Sequence, residues 1–299
     1  MILKKGSRGN EVKELQEFLD IEADGVFGEN TEKAVKRFQI KQGIEADGIV
    51  GPITWDLMEL SDTDTPFSTD EGERIFETPN GLHIHKHYLP PHEYKQGPIK
   101  AEYIFLHHTA GWHNPFRTID HWGRDSRGQV CTEFVLGGQS IKGNDDQYDG
   151  TLVQAFPEGN YGWHLGRNGN QKMHVNSVAI EVNNFGYIKE GKTYAGTKAD
   201  IGQLVKLDKP FRGFDTWHRY SDEQIEALRK WILWVGERDN IDVRAGLVEE
   251  VKKKGAEGFE FNEDAYYGKV KGMWTHTNTR KDKFDMFPQP ELLDMLMGL

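Results

Sequence analysis

The sequence predicts a small all-α domain of three helices, followed by a larger domain in which strands and helices mix. Three observations carry this. The phrase "EADGVFG" at 22–28 returns as "EADGIVG" at 45–51, 23 residues later, with helix-like sequence around each copy. From residue 99 onward, apolar strand-like runs alternate with helical ones. Between them, residues 61–73, "SDTDTPFSTDEGE", are acidic and poor in apolar side chains, as a linker would be. A chain of 299 residues has room for two domains.

In the first domain, Val12, Leu15, Phe18 and Leu19 share one face of a first helix. Asn30 is placed to cap a second, with Ala34, Val35 and Phe38 inward and Gly43 as its stop. Pro52 suits the first turn of a third, which carries Trp55 and Met58. Each Asp-Gly marks a turn, and the second glycine of each phrase is expected where backbone passes close to a neighbour. Further on, His83, His85 and His87 alternate, which puts three imidazoles on one strand face. No carboxylate or cysteine completes a metal set there, so a solvated face of a lead-in hairpin is expected.

In the larger domain, "IKAEYIFLHH" reads as a buried strand. "NPFRTIDHWGRD" reads as a helix, with Asn114 as cap and Pro115 at its first position. "CTEFVLGG", "TLVQAFP" and "SVAIEVNNFG" read as strands. "SDEQIEALRKWILWVGERD" is the clearest helix, with Ser221 and Gln224 as a capping box and Ile225, Leu228, Ile232 and Val235 inward. Strands and helices in one body allow an α/β or an α+β domain.

Composition narrows the function. Hydrophobic residues are 36% and charged residues 28%, the balance of a globular protein, and no apolar run is long enough to span a bilayer. Net charge of −11 argues against nucleic acid and anionic membrane surfaces as partners, so an uncharged or zwitterionic substrate is expected. The single cysteine, Cys131, excludes an internal disulfide and a cysteine-rich zinc knuckle. The start, "MILKKGSRGN", has no apolar stretch after its lysines, so no secretory signal is expected and the protein should stay where it is made until released.

The paired histidines His107 and His108 end the first buried strand, a rigid place from which to present a side chain. Alternation sends the two to opposite faces, so only one can serve a given site. Near the C-terminus, "GMWTHTNTRKDKFDMFP" holds His276 after a strand-like pair, then Lys283 and Asp285. Two histidines and a carboxylate make a three-ligand set of the kind catalytic zinc sites use.

These stretches resemble known families. "LKKGSRGNEVKELQEFL" with its two "ADGxxG" turns, over roughly residues 3–58, resembles the peptidoglycan-binding domain of many cell-wall hydrolases. "IFLHHTAG", "GWHLGRNGN", "SVAIEVNN" and "HTNTRKDKFD", in that order, resemble zinc-dependent N-acetylmuramoyl-L-alanine amidases of the second type. That family includes phage amidases, bacterial recycling amidases and animal peptidoglycan-recognition proteins. The resemblance implies an α/β domain with a mixed central sheet flanked by helices. It divides the chain into a peptidoglycan-binding domain at 1–60, a linker and lead-in hairpin at 61–98, and a zinc amidase domain at 99–299.

The resemblance also implies roles. His107, His276 and Asp285 would bind Zn²⁺, and Lys283 would polarise the scissile carbonyl or hold its oxyanion. Glu181, in "VAIEV", would be the general base. His164, with Trp163 and Asn183, would lie near the substrate, and His108 would pack away from the metal. Trp112, Trp122 and Trp163 could line a glycan groove or belong to the core. Where relatives with a catalytic tyrosine carry it, this chain has Thr132 and Glu133, which favours Glu181 and leaves Glu133 open. Where the family often ends its last motif "DPG", this chain has "DMFP". The implied protein is a monomeric, peptidoglycan-cleaving phage endolysin, held in the host cytoplasm until lysis. A non-catalytic peptidoglycan receptor, which typically lacks the third ligand, and a zinc peptidase cutting the stem peptide are the rivals.

Overall fold

The computed structural model describes residues 2–19, 21–41, 46–51, 54–55, 58, 75–97, 99–124, 128–166 and 169–299. The chain divides into two compact units, Met1–Gly72 with Lys192–Lys198, and Glu73–Gly191 with Ala199–Leu299. Among the described residues, no helix is long and apolar enough to cross a membrane.

In the first unit, α1 (Asn10–Phe18) and α2 (Glu29–Lys41) are joined by the first Asp-Gly turn, and Thr54, Trp55 and Met58 are helical. Leu3, Val12, Leu15, Phe27, Val35, Val50 and Met58 form its core. The second helix starts earlier than Asn30 suggests: the Gly28 carbonyl accepts from the Glu32 N–H at 3.0 Å, which puts Asn30 inside the first turn. Gly43, Pro52 and the linker 61–73 lie outside the described residues.

The sequence repeat is a repeat of hydrogen bonds. The buried Gln16 amide donates to Asp24 Oδ1 (2.8 Å), the Val26 carbonyl (3.1 Å) and Thr31 Oγ1 (2.9 Å), and its Oε1 accepts from the Gly25 N–H (2.8 Å). Gln39 does the same with Asp47 (2.8 Å), the Ile49 carbonyl (3.0 Å), Thr54 (3.2 Å) and the Gly48 N–H (2.9 Å). A buried amide is tolerable because its groups are satisfied. The first glycine of each phrase is the constrained one: Gly25 and Gly48 have φ of 72° and 75°, the left-handed region. The second is not, since a Cβ added at Gly51 would meet nothing within 4 Å.

The second unit is built on a seven-stranded mixed sheet, as expected of an α/β domain. Its strands are β1 (Ile75–Glu77), β2 (His83–Lys86), β3 (Tyr103–His108), β4 (Phe134–Leu136), β5 (Leu152–Gln154), β6 (Ser177–Val182) and β9 (Gly272–Thr275), in the spatial order β1-β2-β5-β4-β6-β3-β9. The lead-in hairpin, β1 and β2, therefore belongs to the sheet itself. Its histidines find separate partners, His83 near Glu77 and His87 on Asp120 (2.6 Å), and make no metal cluster among the described residues. A separate hairpin, β7 (Leu204–Phe211) and β8 (Phe214–His218), follows β6.

Helices cover the two faces. The first is α3 (Pro115–Trp122), whose cap Asn114 accepts from the Phe116 and Arg117 N–H groups. Next come α4 (Gln171–Val175), α5 (Asp222–Asp239) and α6 (Leu247–Lys254). The short α7 (Glu263–Tyr266) and α8 (His276–Thr279) and the C-terminal α9 (Pro290–Met297) complete the set. Ser221 and Gln224 form the predicted capping box on α5. One face of the sheet, with Ile104, Leu106, Phe134 and Ile180, shares the main core with Leu228, Trp231 and Ile232 of α5. Full burial of such side chains contributes about 1.5–3 kcal/mol each. On the other face, Val135 and Val153 pack with Ile119 of α3 and Leu89.

Candidate metal centre

Register builds the site. His107 pairs with Glu181 across β3 and β6, Glu181 with Val135 across β4, and Val135 with Val153 across β5. Cross-strand partners share a face, so His107 and Glu181 stand side by side on the face opposite α5. On the other flank, β9 pairs Thr275 with Leu106, which brings the next residue, His276, level with His107. His108 points to the opposite face, where Nδ1 bonds the Tyr220 hydroxyl at 2.8 Å. Of the two imidazoles that end this buried strand, one faces the donor cluster and the other is fastened to the core beneath it.

His107, His276 and Asp285 converge. His107 Nδ1 lies 3.2 Å from His276 Nδ1, and each lies 3.0 Å from Asp285 Oδ2. A tetrahedral zinc with bonds of about 2.0–2.1 Å separates its ligand atoms by about 3.3 Å. The observed edges are close to that, and the donor set of two imidazoles and a carboxylate suits zinc. Burial pushes the His107 ring down to about 4, so it is neutral at pH 7, as a ligand must be. Burial alone would raise Asp285, but His276 and His107 beside it hold its carboxyl well below the usual range. Lys283 is half-buried, and its charge acts on His107.

The other expected site residues are placed less uniformly. His164 is buried, with Nδ1 2.9 Å from His107 Nε2 and Nε2 2.8 Å from Ser177 Oγ. Both ring nitrogens are thus spent inside the protein, and the expected substrate contact from this ring has no polar atom left to make it. Trp163 is half-buried, edge-on to His174 at 5.0 Å and to Tyr161 at 5.5 Å. Asn183 is buried; its Oδ1 accepts from Thr118 Oγ1 at 3.2 Å, and its Nδ2 has no hydrogen-bond partner among the described residues. Glu133 is held elsewhere: Oε1 accepts from Arg238 (3.0 Å) and Gln154 (3.0 Å), the arrangement of a buried structural carboxylate. Trp112 packs edge-on against Phe185 at 5.1 Å, Trp122 packs on the smaller core, and Cys131 is buried.

Three contributors were not visible in the sequence. Ser177 opens the "SVAIEV" strand, and nothing but its place in that motif marks it. His174 accepts from the His164 and Leu165 N–H groups at Nδ1 (3.3 and 3.4 Å), with Nε2 3.3 Å from the Gly166 carbonyl, and so pins the turn that carries His164. Arg212 donates to the carbonyls of Thr277 (3.1 Å) and Lys281 (2.5 Å), bracing the loop between His276 and Asp285. No sequence signal points to it.

Comparison with known proteins agrees with this architecture. Residues 96–258, more than half of the chain, match the family model of N-acetylmuramoyl-L-alanine amidase, and residues 8–58 match that of a peptidoglycan binding domain. The chain belongs to the N-acetylmuramoyl-L-alanine amidase family. The amidase match includes His107, His164 and Glu181 and stops short of His276 and Asp285, which enter the site through the fold alone. A protein of Bacillus licheniformis named "Probable N-acetylmuramoyl-L-alanine amidase" is 35% identical over 97 residues, 30% of this chain and 26% of that protein. A zinc D-Ala-D-Ala carboxypeptidase of Streptomyces albus G is 39% identical over 71 residues, 21% of this chain and 28% of that one. The chain thus spans about a quarter of the length of these curated relatives. Among solved structures, an endolysin amidase of Clostridium intestinale is 12% identical over 72% of this chain and 95% of its own, with a TM-score of 0.39.

Proposed function

We propose that the chain hydrolyses the amide bond between N-acetylmuramic acid and the L-alanine of the peptidoglycan stem, with zinc held by His107, His276 and Asp285. The observation that carries this reading is the meeting of those three donor atoms beside Glu181, in a chain of the amidase family. Zinc is supported by the near-tetrahedral spacing of the donors and by the zinc named in the Streptomyces relative. When bound, the metal supplies Lewis acidity and an acidified water.

The chain's own residues do the rest. Glu181, next to His107 in register, accepts the proton of the attacking water and delivers it to the departing alanine nitrogen. Lys283 offers positive charge to the developing oxyanion. Residues 1–60 hold the protein on the wall, 61–98 lead into the enzyme, and 99–299 perform the cut. That module, coupled to the amidase, fits an endolysin kept in the host cytoplasm until it is released to the wall. Monomeric action is part of the same reading.

The test is mass spectrometry of digested peptidoglycan. Free stem peptides beginning with L-alanine, with glycan chains left intact, are expected. Cleavage only within the stem peptide would make the protein a peptidase, and no cleavage in the presence of zinc would make it a receptor.

A further inference from the structure

We propose that His164 is a positioning residue for the ligand His107, holding that ring in the one tautomer and orientation that turns Nδ1 toward His276 and Asp285; this rests on the zinc reading above. A ring that gives Nδ1 to a metal keeps its proton on Nε2. That atom lies 2.9 Å from His164 Nδ1, which can then only accept. His164 must carry its own proton on Nε2, and that atom faces Ser177 Oγ at 2.8 Å. The Ser177 hydroxyl passes its proton on to the His174 carbonyl, at 3.4 Å. With His107 Nδ1 given to a metal, this is the one arrangement in which every donor along the line meets an acceptor.

His164 is itself held on several sides. Its backbone N–H bonds His174, and its ring meets His107 and His174 edge-on at 5.1 and 5.4 Å and Phe105 at a tilt at 5.4 Å. The other histidine ligand lacks such support: His276 Nε2 is buried without a hydrogen-bond partner among the described residues. Orientation of the metal's imidazoles therefore enters through His107 and its neighbour. Partners of metal-bound histidines typically contribute about 10- to 100-fold in metal affinity.

The experiment measures zinc affinity of the full chain by competition with a chromophoric chelator, for wild type, His164→Ala, His164→Asn and Ser177→Ala. The alanine variant is expected to bind zinc about 10- to 100-fold more weakly. His164→Asn places an oxygen where Nδ1 stood, so it should recover affinity to within about threefold of wild type. In zinc-loaded protein, the His107 Nε2 proton should give a slowly exchanging NMR signal in wild type and His164→Asn, and none in His164→Ala. At saturating zinc, the alanine variant should keep the wild-type KM for a soluble muropeptide and lose kcat. Equal zinc affinity for wild type and His164→Ala would overturn the proposal, as would a raised KM at unchanged affinity, which marks a substrate contact. If circular dichroism shows His164→Ala unfolded, Ser177→Ala takes its place, and wild-type affinity there overturns the relay. Wild type that binds no zinc would overturn the metal reading and this one with it; zinc uptake unchanged across the variants overturns this one alone.

Discussion

Single residues decide the chemistry, and their roles separate experimentally. Glu181→Gln should lower turnover about 100- to 10,000-fold while zinc affinity stays at wild-type level, because only proton transfer is lost. Activity assays run beside chelator competition check both halves. His218 gives a pH effect away from the proposed metal site. Its Nδ1 accepts from the Phe185 N–H at 3.1 Å, and burial pushes the ring down to about 3. Between the ordinary 6.5 and that value, the unfolded chain takes up a proton that the folded chain refuses. Stability should therefore fall as pH drops below 6.5, by about 1.4 kcal/mol per pH unit from this group. His218→Asn keeps an acceptor near the same place without titrating, so its urea midpoint should decline less steeply over that range. At this scale the proposed metal ligands were legible, because two histidines and an aspartate recur in a family order. The role of His164 was not, since no sequence records which partner each ring nitrogen meets.

Among the elements, the strands were the more legible. Central strands such as β3 and β6 are apolar almost throughout and end at Gly- or Asn-rich turns, so they stand out. The β7–β8 hairpin did not. Its two-residue turn, Arg212-Gly213, has φ of 51° and 86°, a conformation usually signalled by Asn-Gly or Asp-Gly. Arginine occupies that position while its guanidinium braces the carbonyls of Thr277 and Lys281. The hairpin also stacks Phe214 on Tyr187 at 3.8 Å and sets it edge-on to Phe284 at 5.9 Å, between Lys283 and Asp285 in sequence. Arg212→Ala should destabilise the unit by about 1–3 kcal/mol. Arg212→Lys should recover little, since an ammonium cannot span two carbonyls as a planar fork does. Urea denaturation of the three proteins checks this, and zinc affinity should fall in the same order.

For the whole molecule, the proposed division of labour predicts that removing residues 1–60 leaves cleavage of a soluble muropeptide near the intact rate and slows attack on insoluble sacculi. Tethering raises local enzyme concentration, so the deficit should shrink as enzyme is added. Assays on the two substrates across a range of enzyme concentrations check it. The repeat and the acidic stretch made this two-part plan legible. Boundaries were less so, because a hairpin that reads as a lead-in pairs with β5 and joins the sheet. The position of β9 has a consequence in time. Gln16 and Gln39 reach only 8–15 residues along the chain, so the two Asp-Gly turns can close as soon as they are made. His107 waits for partners 169 and 178 residues downstream. At translation rates of about 5–20 residues per second, Asp285 follows His107 by roughly 10 to 35 seconds. Until then a nascent chain holds the proposed base and one ligand, with no site to load. On the proposed division of labour, an unfinished or prematurely terminated copy grips the wall without cutting it.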